Sequence, residues 1–172
     1  MPLRATDGLQ LRRAPAAGAF GPAEDVNPGG GVTIAGAAVP TAGDVLIAWR
    51  DQVHGAQVHL SEAAPGRPPA AIGELGHDVS AKAIAVAAGD DGRAVVAWSQ
   101  RVSARREQAV AALRPANGGP FAAPVALGSA WQQAQAGSAR LVPGGGALVA
   151  WNAARFGRPA QRRSALLVTR VP

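Results

Sequence analysis

The sequence predicts an all-β chain built from repeated units, and three observations carry that prediction. One heptad recurs, as Gly43-Asp-Val-Leu-Ile-Ala-Trp49, Gly92-Arg-Ala-Val-Val-Ala-Trp98 and Gly145-Gly-Ala-Leu-Val-Ala-Trp151, so the Trp residues are spaced by 49 and then 53 positions. Around each heptad lie short apolar runs bounded by Gly, Pro, Asn or Asp, which is the pattern of strands closed by turns. No stretch shows the i, i+3, i+4, i+7 apolar spacing of an amphipathic helix.

Taken in order, Leu9-Gln-Leu11 and Phe20-Gly-Pro22 read as two outer strands within residues 9–26. The first full unit, 30–75, holds a small-residue run from Val32 to Val39, the run ending at Trp49, the run Ala56-Gln-Val-His-Leu60 and the run Pro69-Ala-Ala-Ile72. The second, 78–127, repeats this with Ala81 to Ala88, the Trp98 run, Glu107-Gln-Ala-Val-Ala111 and Phe121-Ala-Ala-Pro-Val125. The third, 135–172, has Ser138 to Val142, the Trp151 run and Ser164-Ala-Leu-Leu-Val168, and lacks an outermost strand. The sum is about thirteen strands. Units of roughly 50 residues with four strands are the signature of β-propeller blades. The expected architecture is therefore a partial β-propeller of about three four-stranded antiparallel blades, forming one domain over 1–172. The Ala-rich and Gly-rich runs suit innermost strands, where blades converge and leave little volume. Trp49, Trp98 and Trp151 then fall at equivalent structural places between blades.

Composition bounds the rest. A chain of 172 residues is long enough for one core. Its 22 Gly and 14 Pro lean toward low complexity, but 48% hydrophobic residues are too many for a disordered segment. With 41 Ala, three Phe and no Tyr, the core is expected to be thin and close-packed, with Trp as its only large filler. The absence of Cys excludes disulfides, thiolate nucleophiles and cysteine zinc sites, and leaves the compartment open. The net charge of +6 rests on 16 Arg and one Lys, Lys82, a bias that fits a GC-rich genome better than a nucleic-acid ligand. The N-terminal residues lack the apolar run of a signal peptide, and nowhere do 18 uninterrupted apolar residues suggest a membrane span.

The turn Gly89-Asp-Asp-Gly92, the strand Arg93-Ala-Val-Val-Ala-Trp98, the strand Gln108-Ala-Val-Ala-Ala-Leu113 and the turn Asn117-Gly118-Gly119 resemble blades of the Tol-system type. More broadly they are similar to the degenerate propeller repeats of bacterial envelope and secreted proteins. The resemblance implies the propeller architecture and, for a parent protein, an extracellular or cell-envelope location. A resemblance to sialidases is only distant. None of the three Trp segments supplies the Ser-x-Asp-x-Gly-x-Thr-Trp box of their blades, and there is no Tyr to act as nucleophile. Three blades fall short of the usual four to eight. The chain is therefore expected to be a piece of a longer propeller, to complete a ring by self-association, or to form an open arc capped by its own loops.

In such blades the loops after the second strand and those between blades share one face. That face collects Arg50, Arg101, Arg105, Arg106, Arg155 and Arg158 against Asp51 and Asp78, a balance that suits an anionic ligand, with ordinary solvated surface the more expected reading of such loop Arg. Trp131 lies there outside the repeat phase, as a plug over the blade tops or a stacking platform; Phe156 shares that ambiguity. The ligand-binding candidates are thus Arg101, Arg105, Arg106, Trp131, Arg155 and Arg158, with an anionic glycan or an acidic protein as partner. His54 and His77 are placed to approach Asp51 and Asp78, but no ligand spacing supports a metal there. No Gly-x-Ser-x-Gly elbow, phosphate loop or dinucleotide fingerprint occurs, so no catalytic residue, metal or cofactor is assigned. The function expected is a non-catalytic binding or scaffold module. The alternative is part of a propeller hydrolase or lyase whose catalytic residues lie in missing blades; inner runs such as Ala81-Lys-Ala-Ile-Ala-Val86 offer it Lys82 alone.

Overall fold

The computed structural model describes residues 8–15, 17–27, 31–40, 43–51, 56–156 and 163–172, and within them the chain is all-β. Its strands are β1 (Leu9–Leu11), β2 (Glu24–Asn27), β3 (Val32–Ala38), β4 (Val45–Asp51), β5 (Val58–Ala63), β6 (Ala70–Leu75) and β7 (Val79–Ala88). They continue with β8 (Ala94–Ser103), β9 (Arg106–Arg114), β10 (Val125–Ala126), β11 (Gln133–Leu141), β12 (Ala147–Arg155) and β13 (Arg163–Val171). The helical content described is one 3-10 turn, Ala116–Gly118. Two sheets have four strands, in the orders β3-β4-β5-β6 and β7-β8-β9-β10; β11-β12-β13 and β1-β2 form sheets of three and two. All pairings are antiparallel between chain neighbours, the cheapest connectivity because each pair needs only a short turn.

Several boundaries differ from the sequence expectation, three of them for a plain local reason. The outer N-terminal strand lies at Glu24–Asn27 instead of Phe20-Gly-Pro22. Pro22 has no N–H for a ladder, Gly21 closes a turn onto the Arg13 carbonyl (2.8 Å), and Phe20 is exposed, whereas Val26 joins an apolar cluster. Likewise β10 is confined to Val125–Ala126 because Pro120 and Pro124 interrupt pairing. Phe121 instead lies under the Arg114 guanidinium, 5.5 Å from its ring centre. Finally, β11 begins at Gln133 rather than Ser138 and absorbs a bulge between Ala136 and Ser138.

The sheets pack face to face, and each Trp points at the preceding one. Trp49 joins Val45, Ile47 and Ala63 against Leu9, Leu11 and Val26 of the β1-β2 pair. Trp98 joins Ala94 and Val96 against Leu46, Ala48, Val58 and Leu60 of the first four-stranded sheet. Trp151 with Ala147 and Val149 faces Val95, Ala97, Ala109 and Ala111 of the second. The β1-β2 pair therefore closes the Trp49 end and does not supply the strand that β11-β12-β13 lacks. The abundance of Ala follows from this geometry, since small side chains let sheets approach closely around each indole. The first strands of the two four-stranded sheets come closer still: a Cβ on Gly36 of β3 would lie 2.7 Å from the Ile84 carbonyl oxygen of β7.

A glycine makes room for two of the indoles. Gly76, with φ +66°, sits where a Cβ would be 2.8 Å from Trp98 Cζ2, and Gly128 sits where one would be 2.7 Å from Trp151 Cζ2. Both glycines stand just before the next unit begins, so each indole packs against backbone. Gly76→Ala adds a clash to a left-handed backbone and is expected to lower stability by about 1–3 kcal/mol in denaturant unfolding. An unchanged midpoint would show that the indole has room to move. At the turn end, the Arg93 backbone N–H and then its guanidinium hydrogen-bond Asp91, holding that carboxyl below the usual carboxylate range. The same guanidinium donates to the Val142 carbonyl (3.1 Å), tying the β7-β8 turn to the β11-β12 turn.

Candidate anion-binding cleft

The β8-β9 hairpin continues beyond the core, so residues expected to be loop are strand. Arg101 pairs with Glu107 and Ser103 with Arg106 across a bulge, leaving Ala104 and Arg105 as the turn. The Arg105 N–H is 3.4 Å from the Ser103 hydroxyl, which accepts from it. β12 likewise extends to Arg155 at the same end. Trp131 lies between these two sheets. Paired backbone hydrogen bonds with Glu107, 2.7 and 2.8 Å, attach it to the edge of β9, in line with Leu127, whose N–H donates to the Ala109 carbonyl.

These placements form an open cleft of about 410 Å³ lined by Arg105, Arg106, Ala130, Trp131, Gln132, Arg155 and Phe156. The Arg155 guanidinium carbon stands 4.7 Å from the Trp131 ring centre, a stacked cation that keeps outward donors available. The Gln132 side-chain oxygen accepts from the Phe156 N–H, pinning the end of β12 against the segment that carries Trp131. Among the described residues three guanidinium groups line this cleft and no carboxylate does. With the neighbouring Glu107 carboxylate already taken by Lys82, such a group attracts carboxylate, sulfate or phosphate oxygens and can grip them with paired donors.

Of the sequence candidates, Arg105, Arg106, Trp131 and Arg155 meet here. Arg101 is exposed on β8 outside the lining, and Arg158 lies outside the described residues. Trp49, Trp98 and Trp151 are core residues. Arg50 donates to the Thr33 hydroxyl at 3.2 Å. Asp51 is buried and accepts from Asn27 (3.1 Å), His77 hydrogen-bonds Gln100 (3.0 Å), and His54 lies outside the described residues. Among the described residues no three His, Asp or Glu side chains converge as metal ligands would, and no helix is long and apolar enough to cross a membrane.

Sequence reasoning missed what lies beneath the cleft. Glu107 is buried; one oxygen accepts from the Ser80 hydroxyl (3.0 Å), the other from the Lys82 ammonium (2.6 Å) and the Ala134 N–H (3.3 Å). One carboxylate thus joins β7, β9 and β11. Nothing local distinguishes Glu107 from a surface Glu, because its partners are remote in sequence. A second signal was legible, however. All eleven Asp and Glu lie within residues 1–107, and residues 108–172 carry seven Arg and no acid. Comparison with protein-family models, curated proteins and solved structures finds no match to this chain.

Proposed function

We propose that the chain is a non-catalytic binding module of β-propeller type, whose Arg-rich cleft takes an anionic glycan or an acidic protein segment. Support for the propeller reading comes from two four-stranded sheets and a three-stranded one that repeat the same strand order, each with a Trp packed toward the preceding sheet. The convergence of Arg105, Arg106 and Arg155 around Trp131 carries the binding reading. An extended polyanion suits an open cleft at sheet ends better than a small molecule does, since small ligands favour enclosed apolar pockets. The indole offers a flat surface to a sugar ring or peptide plane while the guanidinium groups neutralise its charges.

Binding of dextran sulfate and of polyglutamate at about 50 mM salt tests this, because screening is weak there. Replacing Arg105, Arg106 and Arg155 together by Ala is expected to weaken binding tenfold or more, about 1.4 kcal/mol, and to flatten its salt dependence. Arg101→Ala is expected to change it little. Equal affinity and salt dependence in the triple variant would overturn the assignment.

A further inference from the structure

The three larger sheets end differently at their outer edges. In the first, Glu74 of β6 stands beside His59 and Gly73 beside Leu60; in the second, Ala126 of β10 stands beside Val110 and Val125 beside Ala111. The equivalent residues of the third sheet, by their pairing with Trp151 and Ala150, are Leu167 and Val168 of β13, and among the described residues no strand lies beside them. The fourth strands of the other two sheets are themselves blunted: the β5-β6 ladder has a bulge and Gly73 at φ +144°, and β10 is two residues long, after Pro120 and Pro124. β13 has no such protection. It pairs with β12 over nine consecutive residues without a bulge and contains neither Pro nor Gly. It is also held in place, because the Trp151 indole N–H donates to the Thr169 hydroxyl (3.1 Å), which donates to the Leu127 carbonyl (2.8 Å). The row of outward N–H and C=O groups along β13 is therefore a preformed template for another strand.

Side chains along that edge indicate what such a strand carries. On the side of β13 away from the second sheet, Leu166 and Val168 are 71% and 64% exposed, so a strand laid beside them gains cross-strand apolar pairs. Arg163 and Arg170 stand exposed near the two ends, and neither enters an ion pair among the described residues. This chain's remaining strands, β1 and β2, are committed to the Trp49 end. A second β13 would bring four Arg together with no carboxylate on either strand. We propose that the edge of β13 takes an extended segment of another protein as a fourth strand, antiparallel to it as β6 and β10 are to their neighbours. The segment has β-branched residues in its middle and two carboxylates spaced as Arg163 and Arg170 are, about 23 Å along a strand. This place needs neither Arg105 nor Arg106, so it stands independently of the cleft.

The probe is a fluorescein-labelled peptide, Thr-Glu-Thr-Val-Thr-Val-Thr-Thr-Glu, whose Glu and Val residues fall opposite Arg170, Val168, Leu166 and Arg163 in that register. Fluorescence anisotropy is expected to show saturable binding below about 1 mM. Two further peptides carry N-methyl groups on alternate residues, the even positions in one and the odd in the other, with all charges kept. Only one of these sets of N–H groups faces the edge in an extended strand. One N-methyl peptide is therefore expected to lose binding about tenfold or more, while the other stays within about twofold of the parent. Arg163→Glu with Arg170→Glu is expected to weaken the parent peptide about tenfold and to accept one with Lys in place of both Glu. Arg105→Ala with Arg106→Ala is expected to leave affinity unchanged. No binding at about 1 mM, or the same result from both N-methyl peptides, overturns the proposal. Loss of binding in the Arg105 and Arg106 variant places the peptide in the cleft and overturns it too. So does light scattering at twice the 17.2 kDa chain mass that falls to the single mass as peptide is added, the pattern of an edge already filled by a second copy.

Discussion

Trp98→Ala is expected to destabilise the fold by about 3–5 kcal/mol, enough to unfold most of a marginally stable domain. The indole is fully buried between the two four-stranded sheets, against Leu46, Val58 and Leu60 on one side and its own Ala94 and Val96 on the other. Its neighbours on β8 are Ala94 and Val96, too short to collapse into the space, and Gly76 closes another side with backbone. The indole N–H has no partner among the described residues, so the loss is one of packing. Urea unfolding checks this against Trp131→Ala, which removes a half-buried ring and is expected to cost under about 1 kcal/mol. Similar midpoints for the two variants would mean that the repeat-phase Trp is not the filler between sheets.

Glu107→Ala is expected to cost about 2–4 kcal/mol, the second largest effect. It strands the Ser80 hydroxyl, the Lys82 ammonium and the Ala134 N–H at the junction of β7, β9 and β11. Lys82 retains partial solvent access, which keeps the cost below that of a fully buried ion pair. A double-mutant cycle with Lys82→Met separates the pair from the rest: coupling above about 1 kcal/mol is expected. Additive losses would place the energy in Ser80 and Ala134 instead. Because this network underlies the backbone bridge from Glu107 to Trp131, Glu107→Ala is also expected to loosen the cleft.

Much of the strand layout is legible from the heptads alone. Each ends in a Trp that must be buried, and each starts at a Gly that turns the chain, so β4, β8 and β12 fall where the pattern puts them. The alternation around Trp98, with Ala94 and Val96 on one face and Val95 and Ala97 on the other, even tells that both faces are covered. Outer strands were harder to read because their apolar content is low and prolines break their ladders, as at Pro22, Pro120 and Pro124. Strand ends at the cleft are hard to read, since Gln100 to Ser103 and Asn152 to Arg155 look like polar loop but are strand, the first running past the core and the second still placing Ala153 in it. Within the site, Arg105, Arg106, Trp131 and Arg155 were reachable from loop position and charge. Glu107 was not, because burial of an acid depends on partners 25 or more residues away.

An NMR titration with a short oligoglutamate most directly tests the central claim, that the Arg-rich cleft is the functional surface. The four Trp indole signals and the Arg side-chain signals distinguish its location, with no Tyr to confuse the aromatic region. The account predicts that the Trp131 indole and the backbone amides of Arg105, Arg106, Gln132, Arg155 and Phe156 shift together, while Trp49, Trp98 and Trp151 stay in place. Shifts confined to Arg140, Arg163 and Arg170, or no shifts at low salt, would contradict it and move the binding surface off the cleft.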